Sequence, residues 1–232
     1  MESDFYTFMI IGTINCTYGI FPPDQRFRQT MEAINSVKKK VPDAKILLID
    51  NSIEPLPQHW VDVLKDSVTV FHQLKHNLFS IVANEDRKKS PSEVNMMWEG
   101  FNLLREHNLL GKRIFKLSGR YKVSDTFDIK EFENPDMEGK YTFSVIEVET
   151  THDGWKNRRR VMWCNTGLIS FTPDLLNEFQ NMMGSILRHF DLDREMVIEA
   201  SLFQHVPHNK IFAVAKEHAE GLKADGDGYV YF

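Results

Sequence analysis

The chain has 232 residues, 42% of them hydrophobic and 26% charged, which excludes disordered, fibrous and low-complexity classes and is enough for one α/β domain with a two-faced core. A formal net charge of −5 excludes a broad attraction to nucleic acid or an anionic membrane and leaves only local basic patches to consider. Cys16 and Cys164, the only cysteines, stand far apart in apolar runs, which predicts buried, reduced thiols and a reducing compartment. The apolar start Phe8-Met9-Ile10-Ile11 has no basic leader and is interrupted by Gly12, Thr13 and Asn15. It is therefore read as neither a signal peptide nor a membrane span, and the expected location is the cytoplasm.

In chain order, residues 7–15 form a short Ile-rich run of the kind a fully buried parallel strand shows, with Thr13 and Asn15 at its carboxyl end. After the Phe21-Pro22-Pro23-Asp24 loop, the spacing of Phe27, Met31, Ile34 and Val37 predicts a helix from Gln25, closing on Lys38-Lys39-Lys40, where cations suit the C-terminal dipole. Ile46-Leu47-Leu48-Ile49 is a second strand and stops abruptly at Asp50-Asn51-Ser52, completing a βαβ unit. Residues 60–64 read as helix and 68–71 as a third strand. Ser90-Pro91-Ser92-Glu93 supplies a cap, an N1 proline and a first-turn acid for a helix marked by Val94, Met97, Phe101 and Leu104 and ending near Asn108.

Residues 113–117 are another buried-type strand, running directly into Ser118-Gly119-Arg120-Tyr121. Segments 141–150 and 161–171 read as two strands of a hairpin whose long loop carries Trp155, Lys156, Arg158, Arg159 and Arg160. Helices are expected from Pro173 to about His189 and from Asp193 to about His205, and the tail from Ala219 is rich in Gly and Asp.

Ligands of an open, mostly parallel sheet bind outside the carboxyl ends of its strands. Three polar clusters qualify: Thr13 with Asn15, Asp50-Asn51-Ser52, and Lys116 through Tyr121. No GxGxxG and no GxxxxGK[ST] occurs, which disfavours a dinucleotide fingerprint and a P-loop. Asp50 suits hydrogen bonding to a ribose or base, while Asp-Asn-Ser is equally good turn chemistry, and the residues leave both open. Lys116 and Arg120 read as cations near a diphosphate, with Gly119 allowing close backbone approach and Tyr121 as an aromatic wall; an ordinary charged turn is the other reading.

Arg26 with Gln29-Thr30, the ILLIDNS strand, Ser92-Glu93 and the FKLSGRY segment follow one another in an order that resembles the compact GT-A-type glycosyltransferases of bacteria, phages and large viruses. The resemblance implies a single GT-A-like α/β domain over 1–232, with a nucleotide-binding half at about 5–123 and an acceptor-side half at about 124–232. It implies a nucleotide-sugar donor such as a UDP-sugar, bound near Thr13, Asn15, Arg26, Asp50, Asn51, Ser52, Lys116, Ser118, Gly119, Arg120 and Tyr121. The acceptor would be a glycan hydroxyl or, given the basic-aromatic loop, a nucleic acid such as a modified phage DNA base.

Ser118-Gly119-Arg120 stands where GT-A proteins usually carry a metal-binding Asp-x-Asp, so Mn²⁺ or Mg²⁺ has no carboxylate there. Lys116 and Arg120 could neutralise the leaving diphosphate instead, or Asp125 and Asp128 could supply oxygen ligands. The literal strings Asp191-Leu192-Asp193 and Asp225-Gly226-Asp227 follow no central strand and read as a cap and a turn, and His205 and His208 around Pro207 as another turn. For an inverting transfer the resemblance puts a general base in the helix after Asn165-Thr166-Gly167. Glu199 is the leading candidate, with Glu195 and Asp193 beside it. The alternatives are a nucleotidyltransferase, or a non-catalytic module that binds nucleotide or sugar.

Overall fold

A computed structural model describes residues 4–16, 20–74, 89–143, 145–150, 159–192, 197–214, 218–222 and 229–231. Strand β1 (Thr7–Gly12) lies at the centre of a seven-stranded sheet, parallel to β2 (Lys45–Asp50) on one side and to β4 (Ile114–Ser118) on the other. β3 (Val70–Gln73) extends the β2 edge, also in parallel. Beyond β4 come β9 (Leu168–Phe171), antiparallel, then β6 (Tyr141–Phe143) and β10 (Ile211–Ala213), which pair with each other in parallel. The result is the expected mixed α/β architecture with a mostly parallel sheet.

The apolar runs follow from burial of both faces. Successive side chains of a strand point to opposite sides, so Met9, Ile11, Leu47 and Ile49 enter one core while Phe8, Ile10, Ile46 and Leu48 enter the other. Helices α1 (Pro23–Lys40) and α2 (Gln58–Ser67) cover the second face, α1 through Ala33, Ile34 and Val37. α3 (Lys89–Glu106) covers the first with Val94, Met97, Phe101 and Leu104, joined by α4 (Leu176–Leu192) and the short α5 (Ile198–His205). Gly100 lets α3 settle onto the sheet: a Cβ there would stand 2.4 Å from Met9 Sδ and 2.7 Å from Ile49 Cδ1.

The second half departs from expectation. Each of the two long segments is split between sheets: β6 and β9 join the central sheet, while β7 (Val145–Thr150) and β8 (Arg159–Cys164) form a separate antiparallel hairpin. Two polar features explain the break. The Asn165 carboxamide oxygen accepts the Gly167 N–H at 2.9 Å, closing a turn between β8 and β9. Buried Arg113 in turn donates to Ser170 Oγ of β9 and Thr142 Oγ1 of β6, binding both strands beside β4.

Four short strands are absent from the sequence reading: β5 (Tyr121–Val123), β10, β11 (Ala219–Leu222) and β12 (Tyr229–Tyr231). The Gly-rich tail is thus partly sheet, because β11 pairs with β5 on one side and β12 on the other. Strands of three or four residues are too short to show a period. The last helix begins at Ile198, after an extended Val197, and not at Asp193 as expected; residues 193–196 lie outside the described set. Cys164 is buried, its thiol pushed up to about 12 by that burial. Cys16 is instead half-buried in the loop beyond β1, and neither cysteine forms a disulfide. Among the described residues no helix is long and apolar enough to cross a membrane.

Candidate functional site at the carboxyl edge of the sheet

The three polar clusters do converge at the carboxyl ends of β1, β2 and β4, but their side chains are not all turned toward open space. Asp50 closes β2, is 1% exposed, and faces the loop after β1. Its Oδ1 accepts the Ile14 N–H at 2.9 Å and the Ser52 hydroxyl at 2.8 Å, and its Oδ2 accepts the Ser52 N–H at 3.2 Å. Ser52 Oγ in turn accepts the Asn15 N–H at 2.7 Å. Asp50 therefore braces the loop that carries Thr13 and Asn15, and almost no carboxylate surface remains for a ribose. Burial pushes its carboxyl up to about 6, against the pull of those hydrogen bonds. Asn51 donates through Nδ2 to Ser92 Oγ at 2.7 Å, tying the end of β2 to the start of α3, and its buried Oδ1 has no hydrogen-bond partner among the described residues.

The turn after β4 is held against β1. The Gly119 N–H donates to the Ile11 carbonyl at 2.7 Å, and a Cβ at Gly119 would lie 3.3 Å from that oxygen. The close approach predicted for this glycine is thus to the β1 backbone, not to a ligand. The Ser118 N–H donates to the Gly167 carbonyl at 3.0 Å. Tyr121 is largely buried in β5 within the α1-side core, and Arg120 carries its guanidinium over the Tyr121 ring, 5.4 Å from the centroid. Arg120 lines a cleft of about 340 Å³ with Pro22, Gln25, Gln29, Lys122 and Gly221. Arg26, at the start of α1 and 8% exposed, donates to the Thr13 carbonyl at 3.0 Å and the Phe21 carbonyl at 3.3 Å.

Lys116 departs furthest from expectation. It points to the α3 side of the sheet, has no exposed surface, and donates to Glu93 Oε1 and the Thr166 carbonyl. It is therefore enclosed and paired, not open to a diphosphate. A cation in mid-strand, buried on both sides, demands a counterion, and that demand was the available signal for Glu93, which the sequence reading treated only as a first-turn acid. Glu199 closes the cluster: its Oε1 accepts the Thr166 hydroxyl at 3.2 Å. Its carboxyl is raised, first by burial and then by the negative charge of Glu93, with the Thr166 hydrogen bond and Lys116 opposing. The helix N-terminus packs alongside through the Ile198 N–H, which donates to Ser90 Oγ at 3.2 Å. Glu93, Lys116, Thr166 and Glu199 thus form an acid–base cluster at the mouth of the sheet, its cation buried and its two carboxylates partly so. Asp193 and Glu195 lie outside the described residues.

Ser118, Gly119 and Arg120 themselves offer a divalent cation no carboxylate. Among the described residues no group of three or more His, Cys, Asp or Glu side chains is placed to hold a metal. Asp125 lies 3.9 Å from Lys39 with a 90% exposed side chain, and Asp128 caps a 3₁₀ turn. His205 bonds the Ser201 carbonyl through Nδ1, and the His208 ring lies tilted against Phe203, 5.0 Å between centroids. Asp191 falls in α4, whereas Asp225, Asp227, Trp155, Lys156 and Arg158 lie outside the described residues.

No protein-family model and no curated protein sequence matches the chain. Solved structures do resemble it. A glucose-1-phosphate thymidylyltransferase assigned in Bacillus anthracis, in complex with sucrose, superposes with a TM-score of 0.54 at 10% identity over 93% of this chain and 89% of that one. The Mn/GDP form of core-mannan synthase A from Aspergillus fumigatus gives 0.53 at 7% identity over 90% and 72%. The bifunctional glycosyltransferase WbbM gives 0.55 at 9% identity over 92% of this chain and 39% of that one. Identities this low show the fold alone, and the fold is a GT-A-like nucleotide-binding one, shared by glycosyltransferases and nucleotidyltransferases.

Proposed function

We propose that the chain is a glycosyltransferase that moves a sugar from a nucleoside-diphosphate sugar to an acceptor hydroxyl, with Glu199 as general base. The observation that carries this reading is the Glu199 carboxyl, held by Thr166 beside the Glu93–Lys116 pair at the carboxyl edge of the sheet. A carboxyl raised above its usual range is a stronger base near neutral pH, and general-base catalysis contributes about 10²–10⁴ in rate. In the step, the acceptor oxygen bonds to the anomeric carbon and its proton passes to Glu199. The bond to the diphosphate breaks, and the nucleoside diphosphate departs with the electron pair, inverting the sugar.

In this reading residues 5–123 receive the nucleotide, with Thr13 and Asn15 on a loop braced by Asp50 and Ser52. Residues 124–232 supply Glu199 and the acceptor side of a single domain. The acceptor is a glycan or a nucleic acid such as a modified phage DNA base. Titrating the full chain with a panel of nucleotide sugars while following nucleotide release tests this. Release is expected with at least one donor, and Glu199→Gln is expected to lower it by about 10²–10⁴ with donor affinity kept. Unchanged turnover in that variant rejects Glu199 as base. The missing carboxylate at residues 118–120 favours a second reading, a binding module without turnover, which binding with neither release nor transfer would support.

A further inference from the structure

The cations around the turn after β4 are unequally matched. Arg28 pairs with Asp24 at 2.5 Å and Lys122 with Glu220 at 2.6 Å, so those cleft-lining charges cancel locally, and the remaining acid of the cleft, Glu32, is exposed. Arg120 and Arg26 differ. Among the described residues neither has a carboxylate partner, and Arg26 spends its described hydrogen bonds on two neutral carbonyls. Arg120 Nη1 is buried and has no acceptor among the described residues. A buried donor on a charged group without an acceptor is costly, and such a group in a native protein calls for a partner beyond those the described residues supply.

Geometry brings the two arginines to one place. Gly119 lies against β1 and within 3.6 Å of Thr30 Oγ1, measured from where its Cβ would stand. That seats the Arg120 turn against Thr30 of α1, one turn from Arg26. Burial lowers the proton affinity of Arg26, Cys16 opposes it, and the nearby charge of Arg120 lowers it further. Arg120 lines a cleft of about 340 Å³, within the usual size of small-molecule sites, and Arg26, buried beside it, adds a second positive charge behind that wall.

We propose that Arg120, backed by Arg26, receives the diphosphate of the nucleoside-diphosphate donor and does so without a divalent metal. The proposal rests on the reading of the chain as a nucleotide-sugar transferase, and it assigns the leaving-group end of that site. When the bond from the anomeric carbon to the diphosphate oxygen breaks, the electron pair stays on the diphosphate. A permanently charged guanidinium fork stabilises that growing charge through paired N–H···O bonds, as a metal would. Lys116 is not available for this work, being enclosed with Glu93 and the Thr166 carbonyl. Arg26 acts as a positioning residue, holding the loop between Thr13 and Phe21 while adding its field.

Isothermal titration of the full chain with UDP and GDP, each in EDTA and in Mn²⁺, and with inorganic pyrophosphate in EDTA, tests the proposal. Pyrophosphate and at least one nucleoside diphosphate are expected to bind in EDTA, the latter within about threefold of its affinity in Mn²⁺. Arg120→Ala should weaken pyrophosphate and nucleoside diphosphates by about ten- to a hundredfold, the range for losing one or two charge-assisted hydrogen bonds. Uridine and guanosine should be unaffected, Arg120→Lys should fall between, and Arg188→Ala, exposed on α4 away from the cleft, should bind as wild type. Binding only with Mn²⁺, no pyrophosphate binding, or wild-type affinity in Arg120→Ala overturns it. If Arg120→Ala does not fold, Arg120→Lys and the chelator comparison decide. Glu199→Gln should keep pyrophosphate affinity, so a failure of the transfer reading shows in turnover while a failure of this proposal shows in binding.

Discussion

Replacing Asp50 by Asn separates the cost of burying a charge from the value of its hydrogen bonds. The Asn oxygen can still accept the Ile14 N–H and the Ser52 hydroxyl, the bonds that Asp50 Oδ1 makes now. Its amide nitrogen would face the Ser52 N–H, which Oδ2 now accepts at 3.2 Å, so one hydrogen bond is lost, about 1 kcal/mol. Against this, burial holds the Asp50 carboxyl at about 6 instead of 3.8, which at 1.36 kcal/mol per pH unit corresponds to about 3 kcal/mol. The folded chain binds this proton more tightly than the unfolded chain does. The contribution of Asp50 is thus fully present below pH 3.8 and is lost as pH rises through about 6.

The variant has no such dependence. Its stability relative to wild type should therefore rise by about 2–3 kcal/mol between pH 4 and pH 7. Urea denaturation of both proteins at intervals across that range measures the difference directly. A difference that stays flat with pH would refute the argument that burial outweighs the bracing hydrogen bonds at this site.

Two further outcomes follow from packing and charge. A Cβ at Gly221 would stand 2.6 Å from the Arg120 carbonyl oxygen and 2.2 Å from Tyr121 Cδ1. Because backbone cannot yield as a side chain does, Gly221→Ala should push β11 off β5, costing about 1–3 kcal/mol in a urea melt and weakening pyrophosphate binding; wild-type values in both would exclude the clash. Removing the negative charge of Glu93 leaves Lys116 facing Glu199 alone, so Glu93→Gln should lower the Glu199 titration midpoint, read from carboxyl ¹³C shifts. A midpoint that does not move would show the two carboxylates to be uncoupled.

Much of the first half of the chain was legible because its signals are local. A strand covered on both faces must be apolar throughout, as Phe8 to Ile11 and Ile46 to Ile49 are, and the lysines at the end of α1 and the Ser-Pro-Ser-Glu start of α3 obey terminus chemistry within one turn. The clusters after β1, β2 and β4 were also found at the sheet's carboxyl edge. Which way their side chains turn was not legible. Asp50 turns inward to Ile14 and Ser52, and Lys116 turns away from the arginine cleft to Glu93, because each buried charge takes the partner that the packed elements bring to it.

The same distinction separates the two halves of the chain. Periodicity and capping by themselves determined an α/β chain with a βαβ opening, since each depends only on neighbours within a few residues. Tertiary structure alone decided that segments 141–150 and 161–171 would each divide between two sheets, that Ala219 to Leu222 would complete the sheet begun by β5, and that Glu93, 23 residues before Lys116 in the chain, would meet it beneath Glu199. Those outcomes depend on pairings between distant residues, and the desolvation cost of an unpaired charge or strand edge acts only once the core has closed around it.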